Sequence, residues 1–226
     1  TMGVSSGPIS FIEVFNAAGA GEASGAGAVN TLVYATIADA VIDNSKISNA
    51  GVVDVEAENN LDLTSATQYV AGSASASVGA SVSNIVLAKD ANAKIKNGSD
   101  ITSSSDVKVF AKSDDSILST VIGAAGAQYA GIGGSVTTIV SSNNVNAAIE
   151  DSKVVTTSTE DKTNDLKTVH GERGLHSGIS VVAQQDTSLD GGSGTAAGGY
   201  AGIGLSIYTG VIANDVNAYV SDSSIT

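Results

Sequence analysis

The chain has 226 residues and a formal charge of −13, from 23 acidic and 10 basic residues, with its two histidines counted as neutral. This acidic balance argues against nucleic acid as a partner, because Lys and Arg supply the affinity for phosphate backbones. Since the chain has no cysteine, a disulfide scaffold, a thiolate metal site and a cysteine nucleophile are all excluded.

The composition also restricts the kind of core. Hydrophobic residues reach 42%, yet aromatic residues only 4%, and there are 26 glycines. Small and β-branched side chains must therefore fill most of the interior, which suits closely approaching strands. Residues 1–10 lack the pattern of a signal peptide, and no stretch approaches the roughly 18 apolar residues of a membrane span. If the protein is secreted, we expect its signal to lie outside this sequence.

Three short motifs recur along the chain at shared spacings. In chain order they are a small residue before an apolar one at Ala28-Val29, Ala-x-Ile at Ala40 to Ile42, and an alternating strand at Val53 to Ala57. The first motif recurs at Ser81-Val82, Ser135-Val136 and Ser206-Ile207. The second recurs at Ala93 to Ile95, Ala147 to Ile149 and, with Val in place of Ile, Ala218 to Val220. The third recurs at Val107 to Ala111 and Ile179 to Ala183. A fixed period carried by strand-like motifs predicts a β-solenoid with repeats of about 54 residues.

The distances between motifs suggest a subdivision of each repeat. Many are near multiples of 18, so we predict coils of about 18 residues, three per repeat, although two coils of about 27 residues fit the long period equally well. With strands roughly 4.8 Å apart, coils of 18 residues would make a rod on the order of 55 Å long. Asn or Asp after each Ala-x-Ile copy, at Asn44, Asn97, Asp151 and Asp222, predicts a turn. The column Asp39, Asn92, Asn146 and Asn217 predicts a side-chain ladder.

One solenoid domain is predicted over residues 1–226, as a fragment of a larger protein. Its repeats lie near 28–80, 81–134, 135–205 and 206–226, the last one partial, with an inserted loop at 155–178. The insertion adds about 19 residues and contains both histidines and the only arginine. Because loops on a rigid scaffold often carry binding function, we expect any partner site in this loop, at His170, Glu172, Arg173 and His176. A tolerated, solvated insertion is nevertheless the leading interpretation of this loop, and a metal site at His170, Glu172 and His176 matches no fixed ligand spacing.

Catalytic chemistry has little support in the sequence. Asp54, Glu56 and Glu58 alternate on one strand, as the carboxylates of a carbohydrate-acting β-helix would. Their counterparts one repeat later are Lys108, Phe110 and Lys112, so an exposed charged strand face explains them as well. The chain is therefore predicted not to be an enzyme and to hold no cofactor and no metal.

The repeat unit also carries a family resemblance. Gly131 to Val140, Val145 to Ile149 and Val107 to Ala111 resemble the passenger repeats of filamentous-haemagglutinin-type exoproteins, most closely those of the leukotoxin type from fusobacteria. The resemblance implies a right-handed parallel β-helix, type V secretion, and an extracellular or bacterial outer-surface location. It carries over no catalytic residue.

The function that this resemblance implies is adhesion or toxicity toward host cells, with a host surface protein or glycan as partner. A purely structural spacer and a carbohydrate-acting enzyme are the alternatives. Membrane contact is expected only for a toxin, and the remainder of the solenoid is expected to contact both ends of this fragment.

Overall fold

A computed structural model describes residues 2–6, 11–157 and 178–226. Every regular element in these ranges is a β-strand, and all strand pairs are parallel. The predicted fold class, a parallel β-solenoid built from 54-residue repeats, is confirmed. The strands are β1 (Met2–Ser6), β2 (Phe11–Ala20), β3 (Ala23–Asp43), β4 (Lys46–Ala50), β5 (Val53–Ser73), β6 (Ala76–Lys96), β7 (Asp100–Ser103), β8 (Val107–Ala127), β9 (Ala130–Glu150), β10 (Lys153–Thr156), β11 (Ile179–Gly198), β12 (Ala201–Ser221) and β13 (Ser224–Ile225).

Three sheets form the sides of the solenoid. Sheet A contains β5, β8 and β11, with β1 and β2 both paired to β5. Sheet B contains β3, β6, β9 and β12, and the short sheet C contains β4, β7, β10 and β13. The chain passes through one strand of A, one of B and one of C before it returns to A. Two sides of each coil are thus about 21 residues long, and the third has two to five residues.

The register corrects the predicted coil length. Val53 lies beside Val107 and Ala40 beside Ala93, so each coil uses a whole repeat of about 54 residues rather than 18 or 27. The distances near 18 separate motifs on different sides of one coil. With one coil per roughly 4.8 Å, four coils rise about 20 Å rather than 55 Å, whereas a 21-residue strand extends about 70 Å. The described solenoid is therefore wider along its strands than along the solenoid axis.

The core lies between sheets A and B, which face each other. Alternate residues of the long strands are buried in the interior, as the alternation in the sequence predicts. Apolar clusters occupy the end near sheet C, around Ile95 and Val109, and the middle, around Leu63 and Ile85. A third cluster surrounds Tyr69 near the opposite end. Polar side chains occupy the gaps between these clusters.

Tyr69 is the largest fully buried side chain. Its ring occupies the space that a β-carbon would need at Gly79 on the opposite strand and at Gly123 on the next coil. Its hydroxyl lies close to Gly133, again on the next coil. The glycines in these columns therefore make room for one aromatic ring that joins two consecutive coils.

The predicted turns are confirmed between sheets B and C. Asn44, Asn97, Asp151 and Asp222 all have positive φ, from 43° to 56°, a conformation that Asn and Asp tolerate better than most residues. The predicted side-chain ladder forms only in part. Asn92 donates to Asp39 at 2.7 Å, but Asn217 donates to Asp215 on its own strand at 2.9 Å.

Candidate functional site

The loop residues predicted as a binding site, His170, Glu172, Arg173 and His176, lie outside the described residues. The two ends of the insertion are described. Thr156 pairs with Ser103 and Ile179 with Val107, so the solenoid register is kept on both sides. The insertion thus replaces the three residues 104–106, which join sheets C and A in the preceding coil.

Backbone hydrogen bonds hold both ends of the insertion to the coil below. Thr157 donates to the carbonyl of Ser103 at 3.0 Å, and Val107 donates to the carbonyl of Gly178 at 2.8 Å. Gly178 in turn donates to the Asp106 carboxylate at 3.0 Å. Asp106 is almost fully buried, so its carboxylate is a fixed acceptor beneath the point where the chain returns to the solenoid.

The acidic row on β5 lies on the outer face of sheet A. Asp54 is aligned with Lys108 and Glu58 with Lys112 on β8, so opposite charges alternate between neighbouring strands. Lys112 also pairs with Asp114 at 3.1 Å. This arrangement is that of an exposed charged strand face, the alternative that the sequence left open for Asp54, Glu56 and Glu58.

A polar layer crosses the core between the first two apolar clusters, and the sequence reasoning missed it. We call it the polar seam; it consists of Thr36, Asn59, Lys89, Ser113, Asp115 and Asn143. The Lys89 ammonium donates to an Asp115 carboxylate oxygen and, at 2.6 Å, to the backbone carbonyl of Asn59. The other Asp115 oxygen accepts from the Asn143 amide.

The remaining members of the polar seam add further hydrogen bonds, although the buried side-chain oxygen of Asn143 has no partner among the described residues. Thr36 donates to the side-chain oxygen of Asn59 at 2.9 Å, and the Asn59 amide donates to the carbonyls of Thr36 and Asp90 at 3.1 and 2.9 Å. Ser113 donates to the Asn59 carbonyl at 3.1 Å. The seam therefore links strands from three consecutive coils across both sheets.

Burial dominates the electrostatics of the ion pair, since both side chains are 0% exposed. It lowers the pKa of Lys89 and raises the pKa of Asp115, because the interior disfavours the charged form of each. The hydrogen bond and charge of each partner oppose its shift. A sealed pair with no access to solvent is suited to specifying structure and not to binding a ligand.

The outer face of sheet B differs sharply from that of sheet A. The outward residues at 25–35 of β3 align with 78–88 of β6, 132–142 of β9 and 203–213 of β12. We call these 24 residues, six from each strand, the uncharged face. They are Gly25, Gly27, Val29, Thr31, Val33 and Ala35; Val78, Ala80, Val82, Asn84, Val86 and Ala88; Ile132, Gly134, Val136, Thr138, Val140 and Ser142; and Ile203, Leu205, Ile207, Thr209, Val211 and Ala213.

Large apolar side chains on the uncharged face are open to solvent. On the internal strands β6 and β9, Val78 is 54% exposed, Ile132 46% and Val86 39%. Three neighbouring columns are almost entirely β-branched, and a column of mostly small residues borders them on each side. An extended apolar surface of this kind marks an interaction site in many proteins. Periodicity alone did not reveal it, because the inner and outer faces of sheet B are both rich in apolar residues.

Other kinds of site find no support in the part of the chain that the structure describes. No group of three or more His, Asp or Glu side chains there is placed to hold a metal ion. Among the same residues, no helix is long and apolar enough to cross a membrane.

Comparisons of the chain with protein-family models, with curated proteins and with solved structures found no match.

Proposed function

We propose that this chain is a segment of a longer secreted β-solenoid of the filamentous-haemagglutinin type, displayed outside a bacterial cell, and that it contributes surface for adhesion to host cells. The observation that supports a longer array is the exposed inner face of β12, whereas secretion and adhesion rest on the resemblance of the repeat sequence. Ile212, Val216 and Val220 on this face are 44 to 50% exposed. Val145 and Ile149, which occupy two of the same columns one coil earlier, are fully buried.

A further strand of sheet A would cover these residues. In each earlier coil a sheet A strand packs on the inner face of a sheet B strand, and β11 covers β12 only from one side. The edges of β11 and β12 also present backbone groups that are ready to pair with a strand in the same parallel register. One further coil would cover these apolar side chains and also pair with these backbone groups, which favours a longer array.

A graft from the chain itself tests the array. Residues 103–127, which include a corner and β8, would be appended after Thr226, where they replicate the next corner and sheet A strand, because Thr226 is aligned with Thr102. We expect a higher urea midpoint and less binding of a hydrophobic dye. The control is the same graft with one residue inserted before β8, which turns its apolar side outward. Equal stability of the two grafted proteins would contradict the proposal of a longer array.

The adhesive role needs a separate test on cells. Immobilised protein would be offered to host epithelial cells and leukocytes, beside a variant in which residues 157–178 are replaced by Ser-Ser-Asp, the corner at 104–106. Loss of binding in the variant would place adhesion in the insertion, and retained binding would place it on the solenoid faces. Absence of binding by both proteins would refute adhesion and leave the role of a spacer.

A further inference from the structure

Charge is distributed unevenly over the two outer faces of the solenoid. The outer face of sheet A carries eight acidic side chains and two lysines, whereas the uncharged face on sheet B carries none of either sign. The charged residues of sheet A are Glu13, Asp54, Glu56, Glu58, Asp62, Asp114, Asp186 and Asp190, with Lys108 and Lys112. An acidic chain thus leaves one broad surface without charge. We propose that this surface pairs with the same surface on a second copy of the chain.

The size of the uncharged face fits a dimer. Four parallel strands about 4.8 Å apart cover about 19 Å, and six alternate residues cover about 40 Å along each strand. The product is about 750 Å² for each copy, close to the roughly 800 Å² per partner of a stable interface. Fewer strands or shorter strands would fall below this size.

The chemistry of the face suits a second copy better than an unlike partner. Two uncharged β-branched surfaces bury no charge when they meet, and stacked sheets pack about 10 Å apart with their side chains interdigitated. The three β-branched columns form a ridge, and the neighbouring columns, such as that of Ala35, Ala88 and Ala213, form shallow grooves. With the strands of the two copies antiparallel about a twofold axis between the Val136 and Thr138 columns, the Val140 column lies over the groove at Gly134, and the Ser142 groove lies over the Ile132 column.

This orientation also separates the charges of the two copies. All charged outward residues on the strands of sheet B lie between the uncharged face and sheet C; they are Asp39, Asp43, Asp90, Lys94, Lys96, Glu150 and Asp215. The opposite end of the face begins with alanines, including Ala76 and Ala130. An antiparallel dimer therefore lays the charged end of one copy over or beyond the alanine end of the other, and both acidic faces of sheet A remain in solvent.

Sedimentation equilibrium of the whole chain tests the pairing. We expect a mass of twice 22.2 kDa for the wild type at tens of micromolar. The doubly substituted Val86→Glu/Ile132→Glu chain should have the mass of one copy, because it places carboxylates in the dimer contact. Both residues point outward, so circular dichroism should show an unchanged fold. The matched control is Leu118→Glu/Ile122→Glu on the outer face of sheet A, where the side chains are similarly exposed; this protein should remain a dimer.

Cross-linking locates the contact, since the natural chain has no cysteine. Thr138→Cys beside the proposed twofold axis should give a covalent dimer with a short bis-maleimide, and Thr120→Cys on the outer face of sheet A should not. A wild-type chain that stays a single copy at every concentration would overturn the proposal. So would association that survives the Val86→Glu/Ile132→Glu change, because it would run through the solenoid ends. Binding of a monomeric wild type, but not of this variant, to phosphatidylcholine vesicles would assign the face to lipid and reject the dimer.

Discussion

Replacing Asp115 by Asn would leave the Lys89 ammonium in the core without its counter-charge. Both side chains are fully buried, so water cannot take over the lost interaction. Breaking a buried pair by removing one partner costs about 3 to 5 kcal/mol, because an uncompensated charge remains. The reciprocal change, Lys89→Met, leaves the Asp115 carboxylate with only the Asn143 amide, and the cost should be similar.

Removing both charges should cost much less than either single change. Lys89→Leu/Asp115→Leu would extend the middle apolar cluster, since Leu61 and Leu87 lie next to these positions. Well-packed apolar replacements of buried ion pairs are neutral or stabilising by about 1 to 4 kcal/mol. Here the Asn143 amide loses its acceptor, which costs about 1 to 3 kcal/mol. The double variant should therefore lie within about 3 kcal/mol of the wild type.

Urea unfolding followed by circular dichroism would measure these differences as shifts in the midpoint. The matched control is Lys112→Met/Asp114→Asn, the exposed ion pair on the same strand, which should change stability by less than about 1 kcal/mol. If Asp115→Asn costs no more than this control, the pair is not desolvated and our reasoning about the polar seam is wrong.

Three further predictions concern other parts of the coil. Tyr69→Ala should cost about 3 kcal/mol or more of unfolding free energy, whereas Tyr69→Phe removes a hydroxyl without a hydrogen-bond partner and should be neutral or slightly stabilising. Gly123→Ala should destabilise the wild type but not the Tyr69→Ala protein, because only the Tyr69 ring occupies that space. Urea midpoints of the single and double variants would show this. A hydrogen bond from Tyr219, aided by Lys94, lowers the pKa of Glu150, so the resulting stabilisation is present above the unfolded Glu pKa of about 4.3 and is lost as pH falls through the folded value. Glu150→Gln should cost less than about 1 kcal/mol at pH 7 and flatten the pH dependence of the urea midpoint below pH 5. An unchanged pH profile would refute this prediction. Asn97→Ala at φ 56° should cost about 1 kcal/mol in thermal or urea unfolding and Asn97→Gly much less, and equal effects would exclude backbone strain as the cause.

The period of the fold could be read from the sequence, but the length of one coil could not. Alternation of apolar residues is the same at every step of a 21-residue strand, so it shows where a strand runs but not how far it continues before the chain turns. Asn97 and its equivalents marked one corner correctly. The corner between sheets A and B, near Ala74-Ser75, has no such residue and resembles the strand interior in composition.

The polar seam was predictable in part. Lys89 shares the alternation of Ile85, Leu87, Ala91 and Ala93, so the sequence places it on the buried side of its strand. Its partner was not predictable, because Asp115 lies in the next coil and the two residues meet only when the coil length is known. The uncharged face could not be predicted for a related reason. Both faces of sheet B are rich in apolar residues, and the position of the opposite sheet decides which of them is buried.

Coils of 54 residues also determine how the chain must fold. A strand meets its hydrogen-bonded neighbour only 53 to 72 residues later, roughly a quarter to a third of this chain's length. Nearly every stabilising contact between strands therefore requires the closure of a long loop. Relative contact orders this high belong to chains that fold in milliseconds to seconds or more slowly. A segment that pairs long strands of both sheets has about 100 residues, as from Val53 to Glu150. Each later coil then adds to an existing edge and repeats the same loop closure.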